Sequence, residues 1–214
     1  MPPRIFDISR TMQAGMAVWP GDTPFALHTE LEIARGASVN LTSLTLSSHT
    51  GTHIDAPRHF LHDDLPVDQL PLAPYIGPAT VVTVNREHGP LTPADFPGLD
   101  WSRVRRLLVH SPASDLPPEQ FPLEFLYPSP ELADFLGRHG VVLFGSDAPS
   151  MDEVDSKTLP GHKALRRNGI AILEGLLFQN VPDGEYELVA LPLKIARGDG
   201  SPVRAVLLAR QPEA

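Results

Sequence analysis

The chain has 214 residues, 42% of them hydrophobic, with a formal net charge of −9. This length supports a substantial core, and the acidic balance without any basic run argues against a nucleic-acid or anionic-membrane partner. There is no cysteine, which excludes disulfides, thiolate-held metals and a cysteine nucleophile.

The 24 prolines and 16 glycines favour loops and short helices. Residues 1–10 lack a positive patch followed by an apolar run, so no signal peptide is expected. Apolar runs reach only about five residues, too short for a membrane span. The expected location is the cytoplasm. The densest basic spots, Arg103, Arg105 and Arg106, and Arg166 with Arg167, are short and read as solvated.

In chain order, Ile5–Ser9 reads as a first strand and Val18–Asp22 as a loop with Pro-Gly turn chemistry. Phe25, Leu27, Thr29, Leu31 and Ile33 alternate with Ala26, His28, Glu30 and Glu32, the period of a half-buried strand. Leu41–Ser47 reads as a strand running straight into a histidine-rich stretch. Residues 60–78 form an irregular connection with a short helix at Val67–Leu70. Strands follow at Ala79–Val84 and Arg106–His110, and residues 111–130 form a proline-rich surface excursion. Pro130 opens a helix that Gly140 ends. Val141–Phe144 is a buried strand by its continuous apolar character. A second helix covers Leu159–Arg167, closed by Asn168-Gly169. The strand Ile170–Leu173 carries Glu174 at its tip, and strands at Tyr186–Leu191 and Val203–Ala209 finish the chain. The expected architecture is one mixed, strand-rich α/β domain over residues 1–214.

The stretch Ser48–Phe60 holds His49, His53, Asp55 and His59, all at odd positions. In an extended chain residues two apart share a side, so all four project together. In a helix Asp55 would fall about 200° from His53. Gly51 supplies backbone freedom, and Pro57 pushes Ala56 out of the α region. Imidazoles with a carboxylate suit borderline divalent metals such as zinc. A lone histidine is ordinarily a surface or core residue, but four aligned ligand types are not an ordinary coincidence.

His49, His53 and Asp55 give one metal three protein ligands, and a catalytic zinc characteristically stops there and keeps a position for water. Glu174 ends an otherwise apolar strand, where a carboxylate is costly unless something satisfies it. His162 lies at a helix start twelve residues earlier. Taken singly, each has an everyday structural reading.

The pattern His-x-Gly-Thr-His-x-Asp-x-Pro-x-His resembles the signature of the cyclase family of metal-dependent hydrolases. Three further stretches, His162–Leu176, Tyr186–Leu193 and Ser201–Leu207, together with Trp19-Pro20-Gly21-Asp22, resemble its kynurenine formamidase (arylformamidase) branch over essentially the whole chain. The resemblance implies the swivelling β/β/α-like fold of that family and hydrolysis of N-formyl-L-kynurenine in tryptophan degradation. It implies two zinc ions per subunit, with manganese as the other candidate. His49, His53 and Asp55 would hold one ion, Asp55 and His162 the second, and Glu174 would complete the site. His59 matches the catalytic histidine and Trp19 the position against the substrate's aromatic ring. A homodimer is implied as well.

On that reading, activated water attacks the formyl carbon and His59 carries a proton to the leaving aniline nitrogen. Arg58 adjoins the site in sequence but is not assigned to the substrate carboxylate. Asp147 and Ser150 read as loop-stabilising. The rivals are another amide hydrolase of the family, such as an isatin-hydrolase-like enzyme, and a non-catalytic metal-binding scaffold.

Overall fold

The computed structural model describes residues 3–209. The first half of the chain contributes β1 (Ile5–Asp7), β2 (Ala26–Leu31), β3 (Leu41–Thr45), β4 (His53–Asp55), β5 (Ile76–Thr83), β6 (Gly89–Leu91) and β7 (Arg106–His110). The second half contributes β8 (Leu126–Pro128), α1 (Pro130–Arg138), β9 (Leu143–Ser146), α2 (Pro160–Arg167), β10 (Ala171–Glu174), β11 (Gly184–Val189), β12 (Gly200–Pro202) and β13 (Val206–Ala209). Nine strands form one sheet in the order β1-β13-β11-β5-β7-β9-β10-β4-β12. The strand-rich α/β expectation holds.

The central strands β5, β7, β9 and β10 run parallel. Both faces of such strands are covered, which is why Leu107, Leu108 and Val109 in β7 and Leu143 and Phe144 in β9 are consecutive apolar residues. Alternate residues enter different cores. Leu108, Leu143 and Leu173 pack with Ile8, Ile54, Leu188 and Leu207 on one face. Leu107, Val109, Phe144 and Ile172 pack on the other with Leu132, Leu136 and Leu165 of the two helices. Ser129 caps α1 by accepting the Leu132 N–H at 3.1 Å, with Pro130 in the first turn.

Three expectations need correction. The strand read over Leu41–Ser47 as running straight into the histidine-rich stretch ends at Thr45. β3 pairs only with β2, in a separate two-stranded ribbon. That ribbon is not half-buried: Phe25 is covered, but Leu27, Leu31 and Leu44 are 55%, 44% and 56% exposed. Alternation marks an apolar side but not what covers it, and within the described residues nothing does. Arg106 is not solvated either. Its guanidinium is buried and donates to the carbonyls of Ala73, Pro74, Ile76 and Pro78. The small parallel pair β6 and β8 was not anticipated, and β8 lies inside the stretch read as a surface excursion.

Candidate metal centre and catalytic site

Only His53 and Asp55 stand two apart on a strand, β4, with Ile54 turned into the core between them. His49 arrives from a tight turn in which Gly51 has φ +66°, and His59 from a single 3₁₀ turn opened by Pro57. The common extended line from 49 to 59 is therefore confined to its middle. Loop geometry does the rest, as Gly51 and the extended Ala56 (φ −87°, ψ 146°) allow.

The distal partners come in through the sheet. β10 lies antiparallel to β4 with Glu174 opposite His53, so the two side chains share a face. The site thus sits at the C-terminal end of the parallel strands. His162 enters from the first turn of α2. Its Nε2 lies 3.3 Å from Asp55 Oδ2 and 3.4 Å from Glu174 Oε1. His53 Nε2 lies 3.2 Å from Glu174 Oε2 and 3.5 Å from Asp55 Oδ1. His49 Nδ1 is 2.9 Å from Asp55 Oδ1. All five residues expected as metal ligands converge, with Asp55 in the middle. His53, Asp55, His162 and Glu174 are each at most 4% exposed.

The outward nitrogens are also engaged. His53 Nδ1 sits 2.9 Å from the Gly51 carbonyl, His162 Nδ1 2.6 Å from Asp152 Oδ2, and His49 Nε2 3.3 Å from Asp199 Oδ2. An acceptor on one ring nitrogen leaves the other as a lone-pair donor toward the centre, the arrangement of metal-ligating histidines. Asp55 Oδ2 and Glu174 Oε1 are buried without a hydrogen-bond partner among the described residues. Buried carboxylate oxygens without partners are costly, and divalent cations would satisfy them. The donor set of nitrogen and oxygen fits such ions.

The same crowding shows in the acid–base properties of the metal-free protein. Burial alone would lower His53, but Asp55 and Glu174 outweigh it and push it up to about 10. Burial opposes protonation of His162 too, yet Asp152, Asp55 and Glu174 hold it well above the ordinary imidazole range. Burial would raise Asp55; His162, His49 and His53 hold it well below the usual carboxylate value.

His59 stands at the rim, its side chain 37% exposed, its ring 4.0 Å from that of His49 and its Nδ1 3.6 Å from Asp199 Oδ2. A nitrogen of His59 also lies close enough to donors of His49 and Asp55 to form a second possible ligand group with them. Trp19 is half-buried and meets Phe121 edge-to-face at 5.5 Å. Both line a cavity of about 600 Å³ that also reaches His49, His53, His59, His162 and Glu174. Arg58 is exposed and does not line it.

Residues 6–153 match the family model Cyclase, described as "Putative cyclase". The chain belongs to the cyclase family. Among curated cyclase-family relatives, it is 45% identical over 208 residues to the kynurenine formamidase of Salinibacter ruber, covering 95% of this chain and 96% of that one. It is 45% identical over 201 residues to that of Geobacillus thermodenitrificans, covering 94% and 95%. Among solved structures, a potential metal-dependent hydrolase with cyclase activity superposes with a TM-score of 0.83 at 27% identity, covering 98% and 99% of the two chains. Isatin hydrolase A of Labrenzia aggregata bound to benzyl benzoate superposes with a TM-score of 0.82 at 25% identity, covering 97% and 94%.

Four residues of this cyclase-family site escaped the sequence reading. Asp152 and Asp199 carry no local pattern that ties them to a histidine 10 or 150 residues away. Phe121 lies in the proline-rich stretch taken for a surface excursion, which instead walls the cavity with Leu116, Pro118 and Pro122. Arg10 ends the first strand region. Asp147 behaves as read: its carboxylate accepts from the main-chain nitrogens and hydroxyls of Ser111 and Ser114. Ser150 also braces its loop, by accepting the Asp152 N–H.

Proposed function

We propose that this protein hydrolyses N-formyl-L-kynurenine to L-kynurenine and formate. The observation that carries the reading is the buried box of His49, His53, Asp55, His162 and Glu174, in a chain that matches kynurenine formamidases at 45% identity over nearly their full length. His49, His53 and Asp55 would hold one zinc, Asp55 and His162 a second, and Glu174 would complete the set. Manganese is the other metal this donor set accepts.

A divalent cation so held supplies hydroxide near neutral pH and a positive field for a developing oxyanion. The chain's own residues do the rest. Water adds to the formyl carbon, the carbon–nitrogen bond breaks, and the leaving aniline nitrogen needs a proton. His59, at the rim beside Asp199, takes the water's proton and delivers it to that nitrogen. Transfer of this kind is worth about 10²–10⁴-fold. Trp19 and Phe121 offer aromatic surface to the aminophenyl ketone.

The protein would act as a homodimer in the cytoplasm, each chain one working unit over residues 1–214. Dimerisation accounts for the ribbon of β2 and β3, where Leu27 faces Leu44 and Leu31 faces Leu41 across the strands, all four well exposed. A two-stranded ribbon is marginal alone, and a second copy is the natural cover.

The test is formate release from N-formylkynurenine, with metal per chain measured on the same sample and isatin assayed in parallel. Release that requires one to two divalent ions, and clearly exceeds turnover of isatin, supports the assignment. Hydrolysis of isatin alone would replace it, and metal-dependent folding without any hydrolysis would point to a scaffold.

A further inference from the structure

The substrate just proposed is a formanilide with an amino-acid head, and the head's carboxylate needs a partner. We propose that Arg10 is that partner and sets the preference for formanilides bearing a carboxylate. This inference rests on the assigned reaction and adds the residue that would select its substrate.

Among the described residues that line the cavity, Arg10 is the sole arginine or lysine; the other charged side chains there, apart from the histidines, are carboxylates. Its position is fixed by the metal loops. The Arg10 N–H donates to Thr52 Oγ1 at 2.9 Å, and that hydroxyl donates to the Gly175 carbonyl at 2.6 Å. Thr52 precedes His53 and Gly175 follows Glu174, so Arg10 is rooted between two of the metal-binding strands.

The guanidinium is held and yet makes no direct ion pair among the described residues. Nη2 donates to the carbonyl oxygens of Ala113 at 3.1 Å and Asp147 at 3.2 Å. No carboxylate among the described residues lies within 4.0 Å of it. The nearby Asp147 carboxylate is taken up by four donors from Ser111 and Ser114. Burial costs the Arg10 charge more than the indirect field of Asp147 returns, and a planar fork with free N–H groups matches a carboxylate. Arg58, the arginine nearest the histidine motif in sequence, is exposed and outside the cavity.

The test compares N-formyl-L-kynurenine with N-formyl-2-aminoacetophenone, the same aryl ketone without the amino-acid head, on the metal-loaded protein. The readout is the ratio of the two kcat/KM values in wild type, Arg10→Gln and Arg10→Lys. A hydrogen-bonded charge pair predicts that Arg10→Gln lowers this ratio about 10–100-fold, chiefly through KM, with Arg10→Lys in between. Equal losses on both substrates, or none on either, overturn the anchor while the hydrolysis assignment stands. If wild type cleaves the headless ketone but not N-formylkynurenine, the substrate assignment falls and the anchor with it. A measurement without variants guards against misfolding: L-kynurenine should inhibit the wild type at least about tenfold more tightly than kynuramine, which lacks only the carboxylate. Equal inhibition overturns the proposal.

Discussion

Asp152 holds His162 twice: its Oδ2 lies 2.6 Å from the ring Nδ1 and takes the His162 main-chain N–H at 3.1 Å, while Oδ1 takes the Gly161 N–H at 2.7 Å. One buried carboxylate therefore caps the start of α2 and orients the histidine it presents. Asp152→Ala should weaken binding of the metal at His162 by about 10–100-fold, the usual cost of losing such a partner. Two buried N–H groups would also lose their acceptor, at about 1–3 kcal/mol. Chelator competition and a thermal melt read the two effects separately. An unchanged metal affinity would mean that α2 alone fixes the ring.

His59 sits at the rim beside Asp199 rather than in the buried box. His59→Ala should keep its metal and lose about 10²–10⁴-fold in turnover. Asp199→Asn should lose less, since it leaves the imidazole in place. Metal analysis and initial rates check both. If His59→Ala comes out stripped of an ion, the histidine is a ligand with His49 and Asp55, a grouping the distances also permit.

The metal-free and metal-loaded proteins should respond to pH in opposite directions. In the metal-free protein His53 is raised from about 6.5 when unfolded to about 10 when folded, because burial is outweighed by Asp55 and Glu174. A raised imidazole stabilises the fold fully below the unfolded value, and that stabilisation is lost as pH climbs through the folded value. The chelated protein should therefore melt progressively lower between pH 7 and 10. Metal binding must displace these protons, so affinity should weaken as pH falls, with proton release on loading. Calorimetry in buffers of different ionisation heat measures the release. Chelation at neutral pH should stop formate production and readdition should restore it.

Gly175 closes the box from behind, with φ +64° and a hypothetical Cβ only 2.3 Å from the Gly51 carbonyl oxygen. Gly175→Ala brings left-handed strain of about 1–3 kcal/mol plus a clash with backbone that cannot swing away. The loops carrying His53 and Glu174 would have to part. The expected outcome is a melting point lower by several degrees and reduced metal content, whereas Gly169→Ala, at a similar φ in open space, should spare the metal.

Leu27 and Leu44 face each other on the exposed ribbon. The pair Leu27→Glu and Leu44→Glu should shift sedimentation from dimer to monomer with little change in the chain's own melting cooperativity. A wild type that sediments as a monomer would remove the dimer from the proposal.

Much was legible from residue order because the decisive patterns are local. Two-residue spacing put His53 and Asp55 on one side of a strand, Gly51 and Pro57 shaped the flanking turns, and the continuous apolar run Val141–Phe144 marked β9 as buried. The boundaries of α1 followed from Pro130 and from Gly140 just beyond its end. A carboxylate at the end of an apolar strand is costly unless something satisfies it, which singles out Glu174 from residue order alone. The ribbon was misread because periodicity reports which side is apolar, not whether the chain returns to cover it.

What residue order could not supply is everything that depends on one strand's address beside another. Glu174 meets His53 because β10 lies antiparallel to β4 in that register. Asp199 reaches His49 across 150 positions because β12 flanks β4 on its other side, where Gly200 leaves room for the imidazole. Arg10 faces the cavity because a hydroxyl between two metal strands holds its backbone. The histidine motif specified the kind of chemistry, since ligand types and backbone freedom are written locally. Sheet pairing and loop packing chose the partners, since distances between segments far apart in the chain exist only after it has folded.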